Sequence, residues 1–430
     1  MDSADTIFAL SSGAPPAAIA VIRISGPQAF VAIHALAGSL PPPRRASLRS
    51  LSDADGSVLD QALVLIFPGP TTATGEDLAE LHLHGGKAVV RGVEDALLAV
   101  SGVRRAEAGE FTRRAFANGR IDLNQAEGLA DLLSAETEWQ RRAALQMAGG
   151  AFSKMVEQWR EALLMLSASV EALLDFSDED DVSPIENIDI TNRCSDLHAV
   201  IARYLATPNA EKLRDGLRVV IAGPPNSGKS TLLNALVSRE AAIVSDIAGT
   251  TRDVIDVPVA FGGIAFVLTD TAGLRDDADD IIEGIGIQRA EAAMVSADIV
   301  LWLGSECAGP IHAHLIEIDA KSDAINNKSK SLAALSLSAK TGAGLDTLIH
   351  QLIETAQTLL PPADSFAVNA RQKVWLSDAV QSLSYAAVAT DLLVTAEELR
   401  LARLALDALT GRASTEDMLD TLFGRFCIGK

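Results

Sequence analysis

Residues 223–230 read Gly-Pro-Pro-Asn-Ser-Gly-Lys-Ser. The spacing G-x-x-x-x-G-K-S tolerates few substitutions because each fixed position has a chemical task. The glycines let backbone N–H groups turn inward around phosphates, Lys229 reaches the outer phosphates, and the Ser230 hydroxyl is a Mg²⁺ ligand. The apolar run Leu217–Ala222 predicts a strand feeding the loop, and Thr231–Leu236 predicts the helix behind it. Asn226, Ser227, Gly228, Lys229, Ser230 and Thr231 are therefore expected to line a phosphate site.

Two further elements follow in order. Gly249-Thr-Thr-Arg-Asp253 lies about twenty residues downstream, where Thr251 can complete a Mg²⁺ shell once a γ-phosphate is present. Asp270-Thr271-Ala272-Gly273 ends the apolar run Ile264–Thr269; its aspartate can hold Mg²⁺ through water, and its glycine N–H can meet the γ-phosphate. Phosphate loop, threonine and aspartate in this order predict a P-loop GTPase. Guanine is usually read by N-K-x-D after a strand. Here Leu315–Ile318 is followed by Ala320-Lys321-Ser322-Asp323, with alanine in place of asparagine. Asp323 retains the contact that discriminates guanine, and the missing amide weakens the site by about 1–2 kcal/mol. Ser338-Ala339-Lys340 matches the last base-side loop.

The 430 residues allow two to four domains. Apolar patterning divides them. Residues 1–118 read as α+β, with strand-like runs Ala17–Ile24, Ala62–Phe67 and Leu78–His84. Helical periodicity begins near residue 119: Phe152, Val156, Trp159, Leu163, Leu166, Val170 and Leu173 place one apolar stripe along a long helix. Residues 214–364 alternate strands and helices, with Asp298–Leu303 and Ser331–Leu337 as further buried strands, in the order of a mostly parallel sheet. Residues 365–430 return to helix. There Thr395-Ala-Glu-Glu398 reads as a capping box ahead of Leu399–Leu409. The expected architecture is a multidomain α+β protein: an N-terminal α+β domain (1–118), a discontinuous helical bundle (119–213 with 365–430), and an inserted α/β nucleotide domain (214–364).

Composition limits the partners. The formal charge is −21, which opposes a simple nucleic-acid binder. Arg104, Arg105, Arg113, Arg114 and Arg120 form the one local basic cluster suited to a polyanion; a solvated helix face is the alternative reading. No 18-residue apolar run predicts a membrane span, and the acidic N-terminus lacks the flank of a signal peptide. Three widely spaced cysteines fit a reducing cytoplasm and no disulfide framework.

The chain resembles the MnmE (TrmE) family of tRNA-modifying GTPases over its whole length. The resemblance is carried by Asp5-Thr-Ile7, Arg23-Ile-Ser-Gly26, Phe67-Pro-Gly-Pro70, Gly75-Glu-Asp77, His84-Gly-Gly86, Gly109-Glu-Phe111, Asp122-Leu123 with Gln125-Ala-Glu127, Asp246-Ile-Ala-Gly-Thr-Thr-Arg-Asp253, Asp270–Arg275 and Phe426-Cys-Ile-Gly-Lys430. It implies a cytoplasmic homodimer that works with the flavoprotein MnmG, as a heterotetramer, to place an aminomethyl or carboxymethylaminomethyl group on C5 of the wobble uridine of certain tRNAs. The one-carbon unit comes from 5-formyl- or methylene-tetrahydrofolate, FAD belongs to the partner and not to this chain, and GTP hydrolysis is required.

The resemblance also implies residue roles. Arg23, Glu80, Arg120 and Lys430 match folate-contacting positions. His82 and His84 alternate on one strand face, where a structural role, or one beside a pterin ring, is expected in preference to a metal site. Asn226, Ser245, Ile247 and Thr250 match ligands of a K⁺ that compensates transition-state charge. Asp246, Ala248 and Gly249 belong to the same GTP-binding stretch, and Mg²⁺ falls to Ser230 and Thr251. Glu283 matches the residue that orients the attacking water, although Asp276-Asp-Ala-Asp-Asp280 offers competing carboxylates. Cys427 is either a nucleophile toward uridine C6 or a small buried residue beside the folate. The alternative function is a regulatory GTPase switch in ribosome assembly without modification chemistry.

Overall fold

The computed structural model describes residues 5–175, 184–208, 210–239, 256–271, 290–324, 330, 335–362, 366–412, 416–424, 426, 428 and 429. The chain divides into two compact units. One comprises residues 1–130, 153–157 and 406–430; the other comprises 131–152 and 158–405.

The first unit is built on a six-stranded sheet of order β3-β4-β5-β2-β1-β6. Its strands are β1 (Thr6–Leu10), β2 (Ile19–Ser25), β3 (Ser47–Ser52), β4 (Val58–Phe67), β5 (Leu78–His84) and β6 (Val103–Arg105). Strand alternation sends Ala20, Ile22, Ile24, Val64, Ile66, Leu81 and Leu83 into one core, under helices Ala29–Ala37 and Lys87–Leu98. The opposite face carries Arg23 against Glu80 and Leu63 against His82 in register. The last part of the chain returns to this unit. Ser11 Oγ donates to the Gly429 carbonyl at 2.8 Å, Ile428 bridges Ala108, and Phe423 packs on Phe116 at 6.0 Å. Gly109 has φ +69°, and a Cβ there would strike the Phe423 carbonyl, so glycine is required on both counts.

The second unit contains a six-stranded sheet of order β12-β11-β10-β7-β9-β8. It comprises β7 (Leu217–Ala222), β8 (Asp256–Phe261), β9 (Ile264–Asp270), β10 (Ile299–Trp302), β11 (Leu315–Asp319) and β12 (Leu335–Ser336), all parallel except β8. Helices Lys229–Arg239 and Leu345–Leu359 bury Leu232, Leu236, Leu348 and Leu352 with this sheet's core.

The helical part is legible from its stripe. Phe152, Val156, Trp159, Leu163, Leu166, Val170 and Leu173 are all buried along helix Ala151–Asp175. Segments on the two sides of the nucleotide domain meet: Ala210 N–H donates to the Val368 carbonyl at 3.0 Å, Ala370 N–H to Glu211 at 2.7 Å, and the Lys373 ammonium to the Thr207 carbonyl at 2.5 Å. Helix Pro184–Leu205 packs along Ala370–Ala386.

One local expectation fails. The last long helix runs Leu392–Leu409, and Thr395 lies inside it. Its cap is Asp391, whose carboxylate accepts from Leu393 N–H at 2.8 Å; the Thr395 hydroxyl instead donates back to the Asp391 carbonyl at 3.1 Å. Asp391 is as good a cap as threonine, and Leu392 and Leu393 extend the helix by a turn.

A charge network braces the first unit. Glu110, with its side chain 2 % exposed, accepts from Arg104 at 2.6 Å and Arg114 at 3.0 Å, and Arg114 also reaches Glu76 at 3.1 Å. Burial alone would raise the Glu110 pKa, but hydrogen bonds from Arg104, the Glu107 N–H and Arg114 hold it below the ordinary 4.5. A depressed folded pKa means that the stabilisation is fully present above that ordinary value and is lost as pH falls through the folded one. We expect Glu110→Gln to cost about 3 kcal/mol at neutral pH, and the gap to wild type to close in acid. Urea unfolding at neutral pH and at a pH well below the ordinary glutamate pKa, past the depressed folded one, reads both effects; a gap that persists there contradicts the assignment.

Candidate functional site

β7 delivers the chain into the phosphate loop at Gly223, which has φ +154°; Gly228 follows at φ +104°. Both are conformations that side chains rarely adopt. Asn226 also takes positive φ, +60°, a region that asparagine visits more readily than most residues. The Lys229 ammonium is buried, donating to the carbonyls of Gly223 at 3.2 Å and Pro224 at 3.0 Å. Ser230 Oγ donates to Asp270 Oδ2 at 2.6 Å. A hydroxyl and a carboxylate in contact at the end of two adjacent parallel strands are a hard-oxygen pair suited to Mg²⁺. Thr271, next to Asp270, ties back to the Ile221 carbonyl at 3.0 Å and locks the turn to β7. Thr231 stands in the first turn of helix Lys229–Arg239.

The base-side loops converge on the same end of the sheet. Lys321, at φ +63°, donates to the Asn226 carbonyl at 2.5 Å and so bridges the base-side turn to the phosphate loop. Asp323 is held by the Ser338 hydroxyl, which lowers its carboxyl pKa, with help from its own backbone N–H and the Lys340 charge. It is thus a fixed carboxylate acceptor, as required for the N1–H and amino group of guanine. Ala320 and Ala339 rest against the apolar core. Where an asparagine would tie the two loops together, other bonds do so. Ser322 N–H donates to the Leu337 carbonyl at 3.1 Å, Leu337 N–H to the Asp319 carbonyl at 3.0 Å, and Ser336 Oγ to Asp319 Oδ2 at 3.3 Å. Asp319 and Ser336 are not singled out by motif; an acid closing a buried strand is the one signal they give.

The N-terminal candidates are partly assembled. Arg23 pairs with Glu80 at 2.9 Å, and His82 lies 3.3 Å from the other Glu80 oxygen. Arg120 donates through Nε to the Thr72 carbonyl at 3.0 Å. His84 pairs with Asp60 at 2.7 Å. No group of three or more potential metal ligands occurs among the described residues.

Four of the five clustered arginines face carboxylates, and Arg120 faces the Thr72 carbonyl. Arg104 faces Glu110 and Asp5, Arg105 faces Glu94, Arg113 faces Asp420, and Arg114 faces Glu76 and Glu110. Ser245, Asp246, Ile247, Ala248, Gly249, Thr250, Thr251, Ala272, Gly273, Glu283, Cys427 and Lys430 lie outside the described residues.

A phosphate loop, a serine–aspartate contact beside it and a lysine–aspartate turn on a mostly parallel sheet have the form of a P-loop GTPase domain, here set between two stretches of helical scaffold. Comparisons identify the kind. The family model for the MnmE helical domain matches residues 123–427, and that for the N-terminus of the GTP-binding protein TrmE matches residues 6–120. The tRNA modification GTPase MnmE of Erythrobacter litoralis is 60% identical over 426 residues, covering 99% of this chain and 100% of that protein. The MnmE proteins of Novosphingobium aromaticivorans and Zymomonas mobilis are 56% and 48% identical, each over 99% of this chain and 100% of theirs. The chain belongs to the MnmE family, and it is a GTP hydrolase. No helix among the described residues is long and apolar enough to cross a membrane.

The Lys321 bridge is testable by itself. Lys321→Met removes a charge-assisted bond worth about 1.5–3 kcal/mol. We expect guanine nucleotide to dissociate about 10- to 100-fold faster, read by stopped-flow release of a fluorescent GDP. An unchanged rate removes the bridge from nucleotide retention.

Proposed function

We propose that this chain is the GTP-hydrolysing member of a cytoplasmic tRNA wobble-uridine modifying enzyme. It acts as a homodimer with a flavoprotein partner of the MnmG kind, which carries FAD, and adds an aminomethyl or carboxymethylaminomethyl group at C5. The observation that carries the nucleotide half is the 2.6 Å contact between Ser230 and Asp270 beside the buried Lys229. Membership of the family carries the tRNA half.

In this reading the domains run 1–118, 119–213 with 365–430, and 214–364. Lys229 turns from the Gly223 and Pro224 carbonyls to the outer phosphates. Ser230 and Thr251 hold Mg²⁺, with Asp270 acting through water, and Asn226, Ser245, Ile247 and Thr250 hold K⁺. These cations would neutralise charge developing on the phosphoryl group. Glu283 orients the attacking water, and Asp323 with Lys321, Ser338, Ala339 and Lys340 reads the base. Hydrolysis drives a change of conformation in preference to the one-carbon chemistry.

The folate site draws on Arg23, Glu80, Arg120 and Lys430. Half-buried Glu80 offers an acceptor to pterin N–H groups, and the cations suit the folate's glutamate tail. Gly429 is held at Ser11, at the end of β1, which supports a role for the neighbouring Lys430 in the first unit. The same sheet face exposes Ile19 by 59%, Leu48 by 62% and Leu63 by 43%, an apolar surface that a second copy would cover. The pairing of Arg104, Arg105, Arg113 and Arg114 with carboxylates and the charge of −21 leave most of the tRNA surface to the flavoprotein.

Three experiments test the reading. Asp323→Asn should lower GTP affinity about a hundredfold and create preference for xanthosine triphosphate, whose 2-oxo group accepts from the new amide. Equal losses for both nucleotides contradict the base assignment. GTP turnover in KCl should exceed that in NaCl, and deletion of the gene should leave wobble uridines unmodified in total tRNA. Normal nucleosides in the deletion strain would overturn the modification reading.

A further inference from the structure

The connection from β10 to β11, residues 303–314, contains no helix, although parallel strands are usually joined through one. Trp302 covers part of the sheet face instead, packing with Met294 and Leu315 over Val220, Ala222 and Val300. Its indole is pinned. Nε1 donates to the Ser305 carbonyl at 2.9 Å, and a Cβ at Gly304 or Gly309 would press into the ring. Held this way, the tryptophan leaves a cavity of about 410 Å³ between itself and the phosphate loop. Ala222, Thr271 and Ala290 are its buried lining, Met294 and Trp302 its part-buried walls, and Glu291, Ser305 and Ala308 its exposed residues. Gly223, Pro224 and Pro225 close the side toward the nucleotide site.

We propose that this cavity binds a small, flat aromatic cation and that its occupancy opposes nucleotide binding. The volume lies within the roughly 300–1,000 Å³ of small-molecule pockets, and the lining has their character: apolar, with few polar groups. A fixed indole, a thioether and two proline rings favour a flat aromatic body. Glu291 is the one charged residue of the lining among the described residues, so a positive substituent is matched, and the indole face attracts the same charge. Coupling follows from shared backbone. The carbonyls of Gly223 and Pro224, which hold the Lys229 ammonium, belong to cavity residues. A ligand packed against Pro224 and Pro225 selects the arrangement in which Lys229 is turned away from phosphates. By linkage, nucleotide weakens the ligand by the same factor. The coupling rests on the nucleotide reading of residues 223–230; the binding does not.

The test uses the full chain and three probes sharing one ring: tryptamine, indole and indole-3-acetate. Calorimetry without nucleotide should show saturable tryptamine binding, with indole-3-acetate about tenfold weaker or absent. Glu291→Gln should bring tryptamine down to the level of indole, and Ala308→Trp should abolish binding while the circular dichroism spectrum is unchanged. Saturating tryptamine should raise the Kd for GDP at least about threefold in wild type. If tryptamine fails to bind, binds no better than indole-3-acetate, or binds equally to Glu291→Gln, the site is refuted even where Ala308→Trp does not fold. Normal tryptamine binding with an unchanged Kd for GDP refutes the coupling alone. Failure of GDP to bind at all strikes the nucleotide reading and leaves the site standing.

Discussion

The second unit depends on a seam. Ala210 bonds to Val368, and Glu211 and Thr207 bond to Ala370 and Lys373, so the chain leaves the helices and comes back to them at one place. The stretch between can fold a complete sheet without disturbing the helices that bracket it. The hydrogen bonds at the seam also mean that a rearrangement of the nucleotide domain meets the helices at helix Ala370–Ala386 and the turn after Leu205. An insertion attached at two adjacent points is mechanically linked to its host, which is what a GTPase that drives conformational change requires.

Within the nucleotide site, strength is distributed unusually. The base turn lacks the asparagine of N-K-x-D, and its rigidity comes from Asp319, Ser336 and the backbone bonds through Leu337. Lys321 then carries the turn to the phosphate loop. The Lys321 turn and the phosphate loop thus meet through one ammonium and one carbonyl, and the carboxylate of Asp323 is positioned by Ser338 from the neighbouring loop.

Much of this was legible in the sequence, for reasons of range. The phosphate loop, its flanking strand and helix, and the apolar stripe from Phe152 to Leu173 are local patterns, and local patterns survive into the fold. The arginines were misleading in part because two partners are distant, Asp420 307 residues from Arg113 and Glu76 38 from Arg114, while Glu110, which takes Arg104 and Arg114, stands only 6 and 4 residues away. A basic cluster in sequence became a neutralised brace in space. The cap at Thr395 failed for the opposite reason, since two competent capping residues stood four apart and Asp391 took the role, with Thr395 bonding back to its carbonyl. Helix-free residues 303–314 gave no warning at all, because a short crossover is defined by what it lacks.

The close approach of Gly109 to Phe423 has a consequence for biosynthesis. Residues 5–130 are translated well ahead of Phe423, Phe426 and Gly429, yet those residues complete part of their packing. The sheet core of the first unit can close on its own residues, whereas the apolar surface around Ala126 that Phe423 and Phe426 cover stays open until about 300 further residues have been made.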